Sequence, residues 1–250
     1  MSLRGPTETR LTSRKRESTG LAALIDPDNF DKKRAVHVAE TVEKLGFDCI
    51  FVGGSTLGDQ THLDDVVRAV KQHVTCPVIL FPGNVTGISR HADAILFSSL
   101  LNSTNTYFIV GAQALGAIQV DRYQLEAIPM GYLVFGDEST TSFIGQVRPI
   151  PYTRPAVAVM YALAAQYLGM RALYLEAGSG SNHPMPAEVV KTVRKHFKGL
   201  LVVGGGITTP KIATTLAHAG ADLLVIGNLL ETKDFRSKLL PITSALRGQA

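Results

Sequence analysis

The chain has no tryptophan, few aromatic residues (7%) and only two cysteines in 250 positions. Cys49 and Cys76 are set neither in a CxxC nor at metal-ligand spacing, which argues against a thiolate metal centre. Both lie in apolar surroundings and read as buried, reduced thiols, suited to a reducing, cytoplasmic setting. No apolar run approaches the ~18 residues of a membrane span, and the first residues lack the apolar core of a signal peptide. Charge is scarce as well, at 18% of residues with a formal net charge of +4. Much of it sits near the start, where Arg4, Arg10, Arg14, Lys15 and Arg16 outnumber Glu8 and Glu17. Beyond residue 20 the balance is nearly even, so a nucleic-acid-binding body is not indicated. Residues 1–19 are polar and aperiodic and predict a basic tail that is flexible or loosely docked, with a transit peptide or a peripheral contact with anionic lipid as the alternatives.

What the chain has in quantity is short apolar segments. Runs rich in Val, Ile and Leu fall at 21–25, 49–52, 78–81, 94–97, 132–135, 172–176, 200–203 and 223–226. Between most of them lie helical patterns, at 31–45, 63–73, 107–120, 155–168, 186–197, 209–219 and 233–246. This alternation predicts βαβ units, and strands apolar on both faces fit a parallel sheet buried on both sides. Eight such strands in one domain-sized chain predict a single (β/α)8 TIM barrel over residues 20–250. Pro186 and Pro210 suit the first turns of their helices, with Thr208 or Thr209 as a cap.

Two stretches break the pattern. Residues 82–91 contain one proline and two glycines and leave little room for a helix between the third and fourth strands. The third crossover helix is therefore expected to be missing or vestigial. Its absence opens an apolar flank that suits a long hydrophobic ligand, unless helix 107–120 or a partner subunit covers it. Residues 136–152 form a long polar excursion after the fifth strand, on the side where barrels keep lids and substrate clamps, though a plain surface loop has the same composition.

The chemistry concentrates at strand ends. Gly204-Gly205-Gly206 closes the seventh strand and opens onto a helix, where backbone N–H groups and the helix dipole favour an anion. Gly227-Asn228 follows the eighth strand. Glycine after a strand is often only a tight turn. The pair, after strands seven and eight, matches the usual phosphate site of a barrel. Glu176 ends the apolar sixth strand, where an unpaired carboxylate is costly. It is expected to face the barrel mouth, holding hydroxyls or taking a proton; closing the rim as a cap is the alternative. Tyr174 projects to the same side, and Gly178-Ser179-Gly180 adds donors for an anion. Asp26 and Ser55, at the ends of strands one and two, make a sparse oxygen site of the kind Mg²⁺ accepts when phosphates and waters complete its shell. Asp26 and Asp28 can equally cap the following helix. His37, His73, His196 and His218 fall on helices, and no role is assigned to His62, His91 or His183.

Taken together these segments resemble the geranylgeranylglyceryl phosphate synthases. The likeness rests on Leu-Ile-Asp-Pro-Asp at 24–28, Phe-Val-Gly-Gly-Ser at 51–55, Ser-Leu-Leu-Asn-Ser at 99–103, Tyr-Leu-Glu-Ala-Gly-Ser-Gly at 174–180, Gly-Gly-Gly-Ile at 204–207 and Ile-Gly-Asn at 226–228. It implies a homo-oligomeric prenyltransferase of ether-type phospholipid synthesis, joining sn-glycerol 1-phosphate to a long prenyl diphosphate with Mg²⁺. The metal positions fall on Asp26 and Ser55. The glycerol-phosphate contacts fall on Tyr174, Leu175, Glu176, Ala177, Gly178, Ser179 and Gly180, then Gly205 and Gly206, then Gly227 and Asn228. The family also lacks the third barrel helix. Some members carry a lysine two residues before the metal-binding aspartate. Leu24 stands there in this chain, which looks like the second, archaeal and bacterial subgroup and leaves Lys32, Lys33 or Arg34 as diphosphate contacts. The prenyl tail is expected beside strands three and four, against Tyr107, Phe108 and the small residues of 111–117. The rivals are a phosphosugar isomerase or lyase, which needs a second acid or base opposite Glu176, and a non-catalytic barrel that binds a phosphometabolite.

Overall fold

The computed structural model describes residues 4–14, 18–56, 58–136, 139–178 and 183–248. The strands are β1 (Gly20–Ile25), β2 (Cys49–Val52), β3 (Val78–Leu80), β4 (Ala94–Leu100), β5 (Glu126–Val134), β6 (Ala172–Glu176), β7 (Leu200–Gly204) and β8 (Leu223–Ile226). Each pairs in parallel with the next, and β8 pairs with β1, so the sheet closes into the expected barrel. The helices are α1 (Pro6–Arg14), α2 (Lys32–Lys44), α3 (Gln60–His73), α4 (Ala112–Tyr123), α5 (Thr140–Ile144), α6 (Pro155–Tyr167), α7 (Ala187–His196), α8 (Pro210–His218) and α9 (Phe235–Arg247).

Side chains alternate between the faces of a strand, which divides the apolar residues into two cores. Ala22, Phe51, Ile79, Leu96, Met130, Tyr174, Val202 and Val225 fill the inside of the barrel. Ile50, Val52, Leu133, Leu175, Val203 and Leu224 face outward onto the helices. Helix α2 answers them with Ala35, Val38, Ala39 and Val42, a stripe at helical spacing. Its cap is Asp31, whose carboxylate accepts from Arg34 N at 2.8 Å, so neither Asp26 nor Asp28 caps it. Thr209 caps α8 ahead of Pro210, as the sequence suggests. Pro186 stands at the N-cap of α7, one position before its first turn.

Between β3 and β4 there is a single 3-10 turn, Val85–Gly87, and no α-helix. The missing crossover helix is thus a fact of the fold. A π-helical turn, Tyr107–Gly111, leads into α4 and brings that helix against the bare flank, where Gly116 faces Ile88.

The N-terminal residues need a correction. Pro6–Arg14, expected within a flexible or loosely docked tail, form a docked helix, α1, across the N-terminal end of the barrel. Leu11 enters the interior core. The Glu8 side chain is buried, and its carboxylate pairs with Arg171 at 2.7 Å. Glu126, which opens β5, accepts from Thr7 N at 2.7 Å and Glu8 N at 2.8 Å. Those are N–H groups that a helix start leaves without partners. The segment is polar because one leucine and one ion pair anchor it, too little for an apolar periodicity to appear. Glu8→Ala strands the Arg171 guanidinium and is expected to cost about 2 kcal/mol, less than a fully buried pair because Arg171 is partly exposed. Thermal unfolding checks this: the melting temperature is expected to fall by roughly 4–8 °C.

Candidate active site

Because all eight strands are parallel, the ends of β1, β2, β6, β7 and β8 share one rim. Asp26, Ser55, Glu176, Gly205, Gly206, Gly227 and Asn228 therefore stand around one mouth. Asp26, Ser55 and Glu176 line a single cavity there, of about 1150 Å³ counting its open entrance. Below them lies an aromatic floor. Phe81 stacks on Tyr174 with centroids 5.2 Å apart, and Tyr132 meets Tyr174 edge-on at 5.1 Å.

Glu176 is 6% exposed. Gly178 N donates to its Oε1 at 2.7 Å, and the Tyr132 hydroxyl points at its Oε2 from 3.5 Å. Tyr174 donates to the same carboxylate. Burial pushes the Glu176 carboxyl above the usual carboxylate range, against the pull of Gly178 N–H and the two phenols. Burial and the neighbouring carboxylate push both phenols well up, so Tyr132 and Tyr174 remain donors. The site thus holds a carboxylate with a strengthened affinity for a proton, surrounded by groups that fix its position.

At two glycines of the β7 end a side chain has no room. A Cβ on Gly204 would lie 1.9 Å from the Tyr174 hydroxyl, and one on Gly205 would lie 2.7 Å from Glu176 Oε1. Gly205 and Gly206 also take left-handed backbone angles, with φ of 88° and 68°. Asn228 is exposed beside Gly227. Ala177 is buried at the rim, whereas Leu175 turns its side chain outward to the helices. Ser179 and Gly180 lie outside the described residues.

Asp26 faces the mouth across Gly54, where a Cβ would come within 2.4 Å of both carboxylate oxygens. It accepts from Asp28 N at 3.1 Å. Burial raises its pKa and the carboxylates of Asp28 and Glu231 add to the rise, while the Asp28 N–H opposes it. A half-buried carboxylate in negative surroundings is a place that gains from a cation. Among the described residues no three His, Cys, Asp or Glu side chains gather as a metal site. One carboxylate and one hydroxyl fit a hard cation whose remaining ligands are phosphate oxygens and water. Among the described residues no lysine or arginine lines the cavity. Lys32 and Lys33 border an outer groove between α2 and α3, and Arg34 lies over Phe30 and bonds the Glu231 carbonyl. Lys32 and Lys33 thus stand away from the mouth, whereas Arg34 reaches the Asn228–Glu231 turn at its edge without lining the cavity.

From the polar end the cavity runs down the bare flank. Ile88, Ile95, Phe97, Phe108, Ala112 and Gly116 line this arm. Phe108, Ala112 and Gly116 are successive turns on one side of the π-turn and α4, so the arm descends by roughly 12 Å, at about 1.5 Å per residue. Gly116 is its deepest helical position, and a Cβ there would meet Ile88 Cδ1 at 2.9 Å. Of the small residues expected to line it, Ala112, Gln113 and Gly116 do so. Leu115 points to solvent, and the Tyr107 hydroxyl donates to Asn84 Oδ1 at 2.6 Å.

The excursion after β5 folds back over the mouth. Thr141, Ile144 and Gly145 of the α5 segment line the cavity. Asn102 holds the segment down, donating from Nδ2 to the carbonyls of Val134 at 2.9 Å and Arg148 at 3.0 Å. Ser103 Oγ donates to the Gly145 carbonyl at 2.6 Å. Tyr132 and Thr141 are the site residues that the sequence reading missed. Tyr132 was legible as the inward phase shared with Met130, had β5 been started before its Pro129 and Gly131.

Fold and mouth together define a (β/α)8 barrel built to hold an anionic ester and a long apolar chain side by side. The chain belongs to the PcrB family, whose model matches residues 13–245. It is 50% identical over 241 residues to a geranylgeranylglyceryl phosphate synthase of Nitrosopumilus maritimus, covering 96% of each chain. It is 49% identical over 228 residues to one of Thermococcus gammatolerans, covering 90% of each. Among solved structures it is similar to the (S)-3-O-geranylgeranylglyceryl phosphate synthase of Thermoplasma acidophilum in complex with its substrate sn-glycerol-1-phosphate. The TM-score there is 0.92 at 39% identity, covering 95% of this chain and 97% of that one. Likeness to a thiamine phosphate pyrophosphorylase of Pyrococcus furiosus, at 13% identity and a TM-score of 0.61, is a likeness of fold alone. No helix among the described residues is long and apolar enough to cross a membrane.

Proposed function

We propose that this chain is a prenyltransferase that forms an ether bond between the 3-hydroxyl of sn-glycerol 1-phosphate and geranylgeranyl diphosphate, with Mg²⁺ as cofactor. The observation that carries the reading is the shape of the cavity. A buried carboxylate, Glu176, stands where a polar mouth bounded by Asp26, Gly53, Gly54 and Ser55 meets a deep apolar arm. The named relatives support the same reading.

The glycerol phosphate is held at its phosphate by the backbone of Gly205, Gly206, Gly227 and Asn228, together with the segment from Ala177 to Gly180. Fixing the phosphate there aims the 3-hydroxyl at Glu176, and positioning of this kind supplies several kcal/mol. Glu176 accepts the hydroxyl proton, while Tyr174 and Tyr132 hold its carboxylate in place. The prenyl chain lies in the arm beside α4 with its diphosphate toward Asp26 and Ser55. Mg²⁺ held by these two residues and the diphosphate would neutralise the leaving group, which matters more in a cavity lined by no basic side chain among the described residues. The allylic C–O bond breaks, the glycerol oxygen bonds to the prenyl carbon, and pyrophosphate departs. An isomerase or lyase acting on a phosphosugar would have no use for the apolar arm. The exposed Val110, Leu115 and Ile118 near α4 and Met160, Tyr167 and Leu168 on and beside α6 suit burial between copies of the chain in a homo-oligomer.

The reading is tested by incubating the purified protein with sn-glycerol 1-phosphate, radiolabelled geranylgeranyl diphosphate and Mg²⁺. An alkali-stable ether product with equimolar pyrophosphate is expected; prenyl alcohol alone, or no product, rejects it. Asp26→Asn is expected to lower activity on the order of 100-fold and to raise the Mg²⁺ concentration for half-maximal rate, the upper end of what altered metal surroundings cost. An unchanged Mg²⁺ titration would assign Asp26 to its loop instead.

A further inference from the structure

Four hydroxyl and carboxyl groups from different strands and the α5 segment form one line across the mouth. Ser55 Oγ lies 3.2 Å from Thr141 Oγ1, Thr141 bonds the Tyr132 phenol, and Tyr132 points its proton at Glu176 Oε2. A hydroxyl has one proton to give and two lone pairs to receive with. The Tyr132 proton is committed to Glu176, so its oxygen can only accept, and the bond between them must carry the Thr141 proton. The Thr141 oxygen is then the acceptor for Ser55. Every proton in the line runs toward Glu176, and the Ser55 oxygen keeps both its lone pairs for a cation.

We propose that Thr141 is a positioning residue that orients Ser55 and Tyr132 together, coupling the leaving-group side of the mouth to the Glu176 side. The inference rests on the functional reading above. Thr141 touches neither carboxylate, and it is not needed to keep the α5 segment in place. That task falls to the Ser139 cap, which accepts from Ser142 N at 3.2 Å, and to the bonds from Asn102 and Ser103. Without the Thr141 hydroxyl, Ser55 is free to turn its proton toward the metal position, and Tyr132 loses the partner that fixes its rotation.

The test separates the hydroxyl from the packing of the side chain. Thr141→Val keeps the shape and removes the hydroxyl, whereas Thr141→Ser keeps the hydroxyl and removes a methyl. Thr141→Val is expected to lower kcat roughly tenfold, the worth of about one hydrogen bond, and to raise the Mg²⁺ requirement. The KM for glycerol phosphate stays unchanged, because the phosphate loops are untouched. Thr141→Ser is expected to restore both values to near wild type. Amide hydrogen exchange over residues 142–148, measured without metal or substrate, should match wild type in both variants. A valine variant with wild-type kcat and Mg²⁺ titration overturns the proposal. So does a serine variant as impaired as the valine one, or loss of exchange protection in the valine variant, since either makes Thr141 a packing residue. A wild-type protein that fails to join the two substrates rejects the functional reading itself.

Discussion

Glu176→Gln is expected to reduce turnover by roughly 10²–10⁴-fold, the usual contribution of a positioned general base, and Glu176→Ala to abolish it. The KM for glycerol phosphate should change little, because the proposed phosphate contacts are made by other residues. In the wild type the rate should fall on the acid side as Glu176 takes up a proton. Burial raises its pKa, so this limb sits above the ordinary carboxylate range, and Glu176→Gln should lack it. The folded protein holds the Glu176 proton more tightly than the unfolded chain does. The stability due to this group is therefore full below its unfolded pKa and is lost as pH rises through the raised folded value. Glu176→Gln removes that loss and should melt above wild type at neutral pH while being nearly inactive, the trade expected where a site is strained for chemistry. A variant that is inactive because it is unfolded would melt lower and show no near-ultraviolet dichroism.

Gly116→Phe is expected to shorten the prenyl chain that the protein accepts. A glycine inside a helix costs about 1 kcal/mol relative to alanine, and here it sits at the foot of the apolar arm against Ile88. A benzyl group at that point fills the end of the arm and displaces several methylenes of the bound tail. One methylene in a pocket is worth about 10–200-fold, so turnover of geranylgeranyl diphosphate should drop on the order of 100-fold. Farnesyl diphosphate, whose tail ends higher in the arm, should remain a substrate. The readout is the ratio of kcat/KM for the two diphosphates, compared with wild type. Equal losses for both lengths would mean that the mutation deforms α4 and does not truncate the arm.

The barrel was legible because continuous Val, Ile and Leu runs alternate with helical stripes, and β2, β6 and β8 begin and end where their apolar runs do. The missing crossover helix was equally visible in Pro82, Gly83 and Gly87. Strand β5 was not legible over its first half, because Pro129 and Gly131 mark a turn by local chemistry. In the barrel Gly131 is required by the closeness of Leu101, Leu173 and Ala165. Helix α1 escaped because its anchors are the Glu8–Arg171 pair and the Glu126 carboxylate, partners more than a hundred residues away. In the site, the glycines and Glu176 announce themselves by standing where an apolar strand ends. Thr141 does not, since a threonine in a polar loop looks the same whether it faces solvent or Ser55. Asp26 and Asp28 were ambiguous as caps until Asp31 proved to hold the start of α2.

In the proposed reaction the two substrates meet in one cavity, with Glu176 at the junction of rim and arm. A crystal structure with sn-glycerol 1-phosphate and an unreactive thio analogue of geranylgeranyl diphosphate tests that arrangement directly. The glycerol 3-hydroxyl should lie within hydrogen-bonding distance of Glu176, with the prenyl tail running past Phe108 to Gly116. A tail on the outer surface, or a phosphate bound away from Gly205 and Gly227, would contradict it.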